Sequence, residues 1–211
     1  MDTVMGIGRS GRRPLDLLVL SMLFERPMHP YEMAQLAVTR HMDRLVKVRT
    51  TTIYNTVARM LDEGLLSVRD VQREGNRPER TVYELTEVGR RVHRETAEEL
   101  LADHPVEYPQ LYLALAQAHE LPREEAARLL RVRRVAMADE LDTMAALIDK
   151  TAAAGVPEIF RLDGGMRVAT LTAQLAWLDD LINRIDCNDI AWLDEVLADK
   201  NFTTDWTELI P

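Results

Sequence analysis

At Gly64 the hydrophobic period of this chain switches from helical to extended. Upstream, within Thr50–Leu66, the residues Ile53, Val57, Met60 and Leu61 fall at i, i+4, i+7 and i+8. That spacing makes one apolar stripe of a helix. Thr51, Thr52, Tyr54, Asn55 and Arg59 lie largely off the stripe. Side chains that reach phosphates and base edges therefore crowd the N-terminal part of the outer face. Thr50 or Thr51 is expected to cap the helix start, because a hydroxyl there satisfies an orphan backbone N–H. Gly64 stands where a helix ends on a left-handed residue. Downstream, Leu66–Gln72 and Arg80–Leu85 read as strands, the second with Thr81, Tyr83 and Leu85 alternating. Arg73–Glu79 between them is a turn-forming loop with Arg77 near its tip.

Two further helices are expected before this unit. Pro14 precedes Leu15–Glu25, in which Leu17, Leu18, Leu20, Met22 and Leu23 are apolar on most sides, as in a buried helix. Arg26-Pro27-Met28 breaks it. Pro30, at the first helical position, then opens a helix to about Arg40, with Glu32 in its first turn. His29 reads as a cap or turn residue, and His41–Arg49 as a basic connector. Three helices followed by a two-stranded hairpin are a winged helix-turn-helix. A wing lies along a DNA backbone, where an arginine such as Arg77 grips phosphate or enters a narrow minor groove. Solvated hairpin charges are the other reading of the wing arginines.

A net charge of −9 on 211 residues argues at first against nucleic acid. Its distribution reverses the argument. Residues 1–103 carry 16 cationic and 16 acidic side chains, and residues 104–211 carry 10 and 19. Within 40–59, Arg40, Arg44, Lys47, Arg49 and Arg59 stand against Asp43 alone. Local basicity around one helix, not the isoelectric point of the chain, makes an electrostatic footprint.

The rest of the chain reads as helical. Thr86 caps a mixed-charge connecting helix to about Asp103, and the domain boundary is placed at His104–Pro109. Gln110–His119 is a short apolar helix. A long one starts at Leu121–Glu125 with Pro122 at its first position, a seam of Leu130, Met137, Leu141, Met144 and Ile148, and an end near Gly155. Gly164-Gly165 introduces another, whose Val168, Leu171, Leu175, Leu178, Ile182 and Ile185 alternate spacings of 3 and 4, the seam of a packed helix pair. Asp189–Ala198 is the last helix, and the tail beyond holds Phe202 and Trp206. The expected fold is mainly α. A flexible arm (1–14) precedes a winged helix-turn-helix with its connecting helix (15–103), and an all-helical dimerisation domain (104–211) follows.

The residues assembled in the first half resemble the PadR family of transcriptional regulators. The resemblance runs through His29-Pro30-Tyr31-Glu32-Met33, Ile53-Tyr54, Leu61 and Glu63-Gly64-Leu65. It continues in Arg77-Pro78, Tyr83-Glu84-Leu85-Thr86 and Gly89. It covers most of residues 15–103; in the second half Trp177 is the best single match. Thr51 and Asn76 stand where the family often has glycine. The resemblance implies a cytoplasmic homodimeric repressor that binds a palindromic operator in double-stranded DNA and is released by a small molecule. The heptad faces of the C-terminal helices would then meet across a two-fold axis.

The expected DNA-binding residues are Lys47, Arg49, Thr51, Thr52, Tyr54, Asn55, Arg59 and Arg77. Arginine and lysine would hold phosphates, and Asn55 has the two-pronged amide that reads adenine. An effector site is expected between the wing domain and the C-terminal helices, lined by Phe160 and Trp177; plain core aromatics are the other reading. No catalytic or metal-binding motif stands out, the five histidines are scattered, and no cofactor is expected. A single cysteine, Cys187, excludes an intramolecular disulfide, which fits a reducing cytoplasm. No run is long and apolar enough for a membrane span. The competing function is a winged helix that docks a protein and does not bind DNA.

Overall fold

A computed structural model describes residues 13–72, 80–104 and 106–198, the side chain of Gln72 excepted. The expectations placed on the N-terminal arm, on Arg77 and on the tail with Phe202 and Trp206 lie outside the described residues. The chain divides into two compact units, Met1–Val106 and Glu107–Pro211.

The first unit contains α1 (Pro14–Glu25), α2 (Pro30–Thr39), α3 (Thr50–Asp62), β1 (Leu66–Gln72), β2 (Arg80–Leu85) and α4 (Glu87–Ala102). Its core joins Val19, Leu20, Met22 and Leu23 of α1, Met33 and Ala37 of α2, and Ile53, Val57 and Met60 of α3. Leu65, Leu66 and Leu85 close it from the strand side. The apolar stripe of α3 is therefore the face that seats it. Its start differs from expectation: Arg49 is the N-cap, no side chain caps it, and Thr50 and Thr51 are inside the helix. Its end follows expectation. Gly64 has φ +72°, its N–H donates to Leu61 at 3.0 Å, and the N–H of Leu65 donates to Met60 at 2.9 Å. These two bonds are the Schellman pattern that satisfies the last carbonyls and turns the chain into β1.

The strands pair antiparallel from Leu66 opposite Leu85 to Gln72 opposite Arg80, with a register shift between Val68 and Asp70. Met28, read from sequence only as part of a helix break, exchanges two backbone hydrogen bonds with Tyr83, at 3.1 and 3.2 Å. The base of the wing is thereby tied to the α1–α2 turn. Thr86 caps α4 by accepting from the N–H of Gly89. Gly89 is required for another reason: a Cβ there would lie 2.1 Å from the carbonyl oxygen of Leu65. The connecting helix is less exposed than its charges suggest. His93 Nε2 lies 3.0 Å from Ser21 Oγ, and its ring stacks on Phe24 at 5.0 Å.

The second unit is built on the long antiparallel helices α6 (Arg123–Ala153) and α7 (Leu162–Asp186), preceded by α5 (Gln110–Ala116) and followed by α8 (Leu193–Ala198). Five of the six predicted seam residues of α7 are buried: Leu171, Leu175, Leu178, Ile182 and Ile185. The partner they pack against is α6 of the same chain. The seam expected to face a second protomer is thus closed within this one, because a short connection makes the intrachain antiparallel neighbour the easiest to reach. Gly164 does not precede α7 but lies in its first turn, where a Cβ would sit 3.2 Å from the side chain of Ile148. Ion pairs flank the seam: Arg131 with Asp186, Arg134 with Asp179 and Arg167 with Glu140. Asp179 receives two bonds from Arg134 at 2.8 and 3.2 Å. That guanidinium holds its carboxyl below the usual range. The last helix is shorter than expected, because Asn188 takes a left-handed φ of 58° and residues through Trp192 form a turn.

Candidate nucleic-acid interface

Burying Ile53, Thr56, Val57 and Met60 points the opposite side of α3 at solvent. Lys47, Arg49, Thr51, Thr52 and Asn55 are all exposed there. Among the described residues none of them has a side-chain hydrogen bond or ion pair. This is one continuous polar face with unspent donors, at the end of a helix where backbone N–H groups are also unpaired. Lys47 and Arg49 approach it from the connector. That connector turns out of α2 through His41, whose φ is 57°, and a 3₁₀ turn at Met42–Arg44.

Tyr54 is 42% exposed, and its ring meets His29 edge-on at 5.8 Å. Its phenol is therefore anchored by the ring and open at the hydroxyl. His29 is the N-cap of α2, and its Nδ1 accepts the N–H of Tyr31 at 3.1 Å. That bond leaves the ring proton on Nε2, a neutral donor beside Tyr54. Burial, then the nearby Arg80, pushes the His29 pKa down. Sequence reasoning found the cap but not the donor, because the pairing of His29 with Tyr54 spans two helices.

Arg59 occupies a different setting. It reaches Asp16 Oδ1 at 2.5 Å and Glu63 Oε1 at 2.8 Å. Asp16 is 2% exposed and also accepts the backbone N–H of Arg13 at 3.3 Å, holding the start of α1. The guanidinium of Arg59 thus locks α3 to α1, and its charge is neutralised within the domain. Nothing in the sequence signals a pair separated by 43 positions.

In the second unit Trp177 is half exposed and lines a cavity of about 490 Å³ with Leu111, Leu115, Leu130, Leu181 and Trp192. Phe160 does not line it. It lies in the connection between α6 and α7 and is 74% exposed, roughly 22 Å along the α7 axis from Trp177 at 1.5 Å per residue. Among the described residues no group of three or more His, Cys, Asp or Glu is placed to hold a metal. No helix there is long and apolar enough to cross a membrane.

The arrangement of these elements has relatives. Residues 19–95 match the model of the transcriptional regulator PadR-like family. Over these residues the N-terminal unit is similar to that family, and it folds as a winged helix. The match spans α1 to α4 and includes the whole polar face of α3. Solved structures extend the likeness of fold over both units. Bacillus subtilis PadR in complex with operator DNA is 18% identical, with a TM-score of 0.69 over 82% of this chain and 98% of that one. The same protein in complex with p-coumaric acid gives 18%, 0.68, 82% and 99%. The Vibrio cholerae virulence activator AphA gives 16%, 0.67, 82% and 98%. At these identities the likeness is one of fold. No curated protein matches the chain.

Proposed function

We propose that this protein is a cytoplasmic homodimeric regulator that binds a palindromic operator in double-stranded DNA, represses transcription there, and is released by a small molecule. The observation that carries this reading is the outer face of α3: exposed, polar, flanked by Lys47 and Arg49, and without partners among the described residues. The PadR-like match over the same residues supports it, as do the fold relatives solved with operator DNA and with p-coumaric acid. Thr51, Thr52 and Asn55 face base edges, with Asn55 as the reader. The hydroxyl of Tyr54 takes a phosphate. Lys47, Arg49 and, from the wing, Arg77 hold the backbone on either side. Arg59 is assigned to the packing of the domain, not to DNA.

A second copy is expected on the apolar surface that the closed seam leaves over, where Val132 and Val135 of α6 and Ile159, Phe160, Leu162 and Met166 near the hairpin tip are exposed. Two third helices then address half-sites about one turn of duplex apart, roughly 34–36 Å. The test is a titration of the full chain with duplexes selected by it from a random pool. A sequence-selective complex that weakens steeply with salt supports the reading. Absence of any selected duplex overturns it in favour of a protein-docking winged helix.

A further inference from the structure

We propose that the cavity between α5, α6, α7 and the Asn188–Trp192 turn is a binding site for a hydrophobic monocarboxylate. As the effector site this rests on the regulator reading; as a binding site it stands without it. At about 490 Å³ the cavity is in the range of small-molecule sites, large enough for a chain of about ten carbons or a fused pair of rings. Its walls are mostly leucine, isoleucine and alanine with two tryptophans, so water gains little by filling its apolar part.

The choice of an anion comes from the arginines of α6. Arg123, Arg128, Arg131 and Arg134 each have a carboxylate partner. Arg133 has no hydrogen bond or ion pair among the described residues, and it is the arginine that lines the cavity. His119 lines it too, likewise without a partner among the described residues, and no aspartate or glutamate does. The cavity thus combines an apolar body with cationic and donor groups at its edge, and has no acid to answer them. A guanidinium matches a carboxylate with two parallel hydrogen bonds.

The walls are also set in place. Trp192 donates from Nε1 to the carbonyl of Leu121 at 2.7 Å. The guanidinium of Arg123 lies 5.8 Å from the ring centroid of Trp192 and bonds Asn188 and Glu195. The turn that closes the cavity is therefore pinned to the start of α6. Trp177 and Trp192 both report on the interior, which makes the site measurable without DNA.

The experiment uses the full chain and the fluorophore 1-anilinonaphthalene-8-sulfonate, followed by energy transfer from tryptophan and then displaced by decanoate or decanol. Decanoate is expected to displace it at least tenfold more tightly than decanol. Arg133→Gln should abolish that preference and leave decanol unchanged, and Arg133→Lys should keep most of it. Decanol binding in each variant reports that the cavity is still folded. Equal affinity for acid and alcohol in the wild type overturns the proposal. So does the absence of sensitised emission, which is the result if a second copy covers the cavity. No DNA is present, so failure of the DNA-binding reading leaves this result untouched. A chain that binds DNA but not decanoate overturns this proposal alone.

Discussion

Asp16 and Arg59 show how a single contact separates two kinds of arginine in one basic segment. Arg59 spends its charge on a carboxylate that is 2% exposed, whereas Arg49, ten residues earlier, faces solvent. Removing one partner of a buried pair leaves the other uncompensated. Asp16→Ala is therefore expected to destabilise the domain by about 2–3 kcal/mol, a value lowered because Arg59 keeps Glu63. Denaturant unfolding followed by circular dichroism measures this, and an unchanged midpoint would show that the pair contributes nothing. At the interface the contrast is in specificity. Arg49→Ala, which removes one phosphate contact from each protomer of the dimer, should weaken all duplexes alike and reduce the salt slope by about two. Asn55→Ala should cost about 1–3 kcal/mol on the selected duplex and little on others. Equal loss on all duplexes would make Asn55 a backbone contact. The outward set Thr51, Thr52, Tyr54 and Asn55 was legible in the sequence because helical period alone decides which residues face out. The inward turn of Arg59 was not, because its partner comes from another helix.

Among elements set by local backbone rules, the end of α3 and the two strands were legible in the sequence, while the N-cap of α3 and the left-handed Asn188 were not. Gly64 ends α3 in the left-handed region, and the strands begin and end where alternation begins and ends. What escaped the sequence were close approaches between elements. Gly89 admits the carbonyl of Leu65 at a distance no Cβ tolerates, so Gly89→Ala must displace β1 or α4. A loss of about 3 kcal/mol is expected, at the upper end for overpacking. Gly64→Ala meets no atom within 4 Å and should cost only about 1 kcal/mol, from its positive φ. Thermal unfolding of both variants compares them, and equal losses would contradict the steric account. The histidines of α2 and α4 add a pH dependence. Burial pushes both His29 and His93 below the ordinary value of 6.5. On acidification below 6.5 the unfolded chain therefore takes up protons before the native one does, and stability falls with pH through their lowered values. Denaturation midpoints at pH 7.5 and 5.5 should differ in that sense, and the gap should shrink in a His29→Gln, His93→Gln variant. A gap that is unchanged would place the dependence elsewhere.

Across the molecule, charge and exposed apolar surface are distributed unequally between the two units. The basic residues gather about α3 in a chain whose net charge is −9, and the acidic excess lies in residues 104–211. The heptad pattern of α7 correctly announced a packed helix pair, but a repeat in sequence does not say whether its partner is in the same chain. The intrachain seam leaves exposed apolar residues on α6 and at the hairpin tip, and a separate cavity whose Arg133 has no partner among the described residues. The central claim is that the outer face of α3 reads DNA, and it is tested most directly by anisotropy titration of the selected duplex and an unrelated duplex at 50 and 200 mM salt. With three cations per protomer on phosphates, the account predicts selective binding that weakens roughly a thousandfold between those salts. Binding that is equally tight for both duplexes, or insensitive to salt, would contradict it.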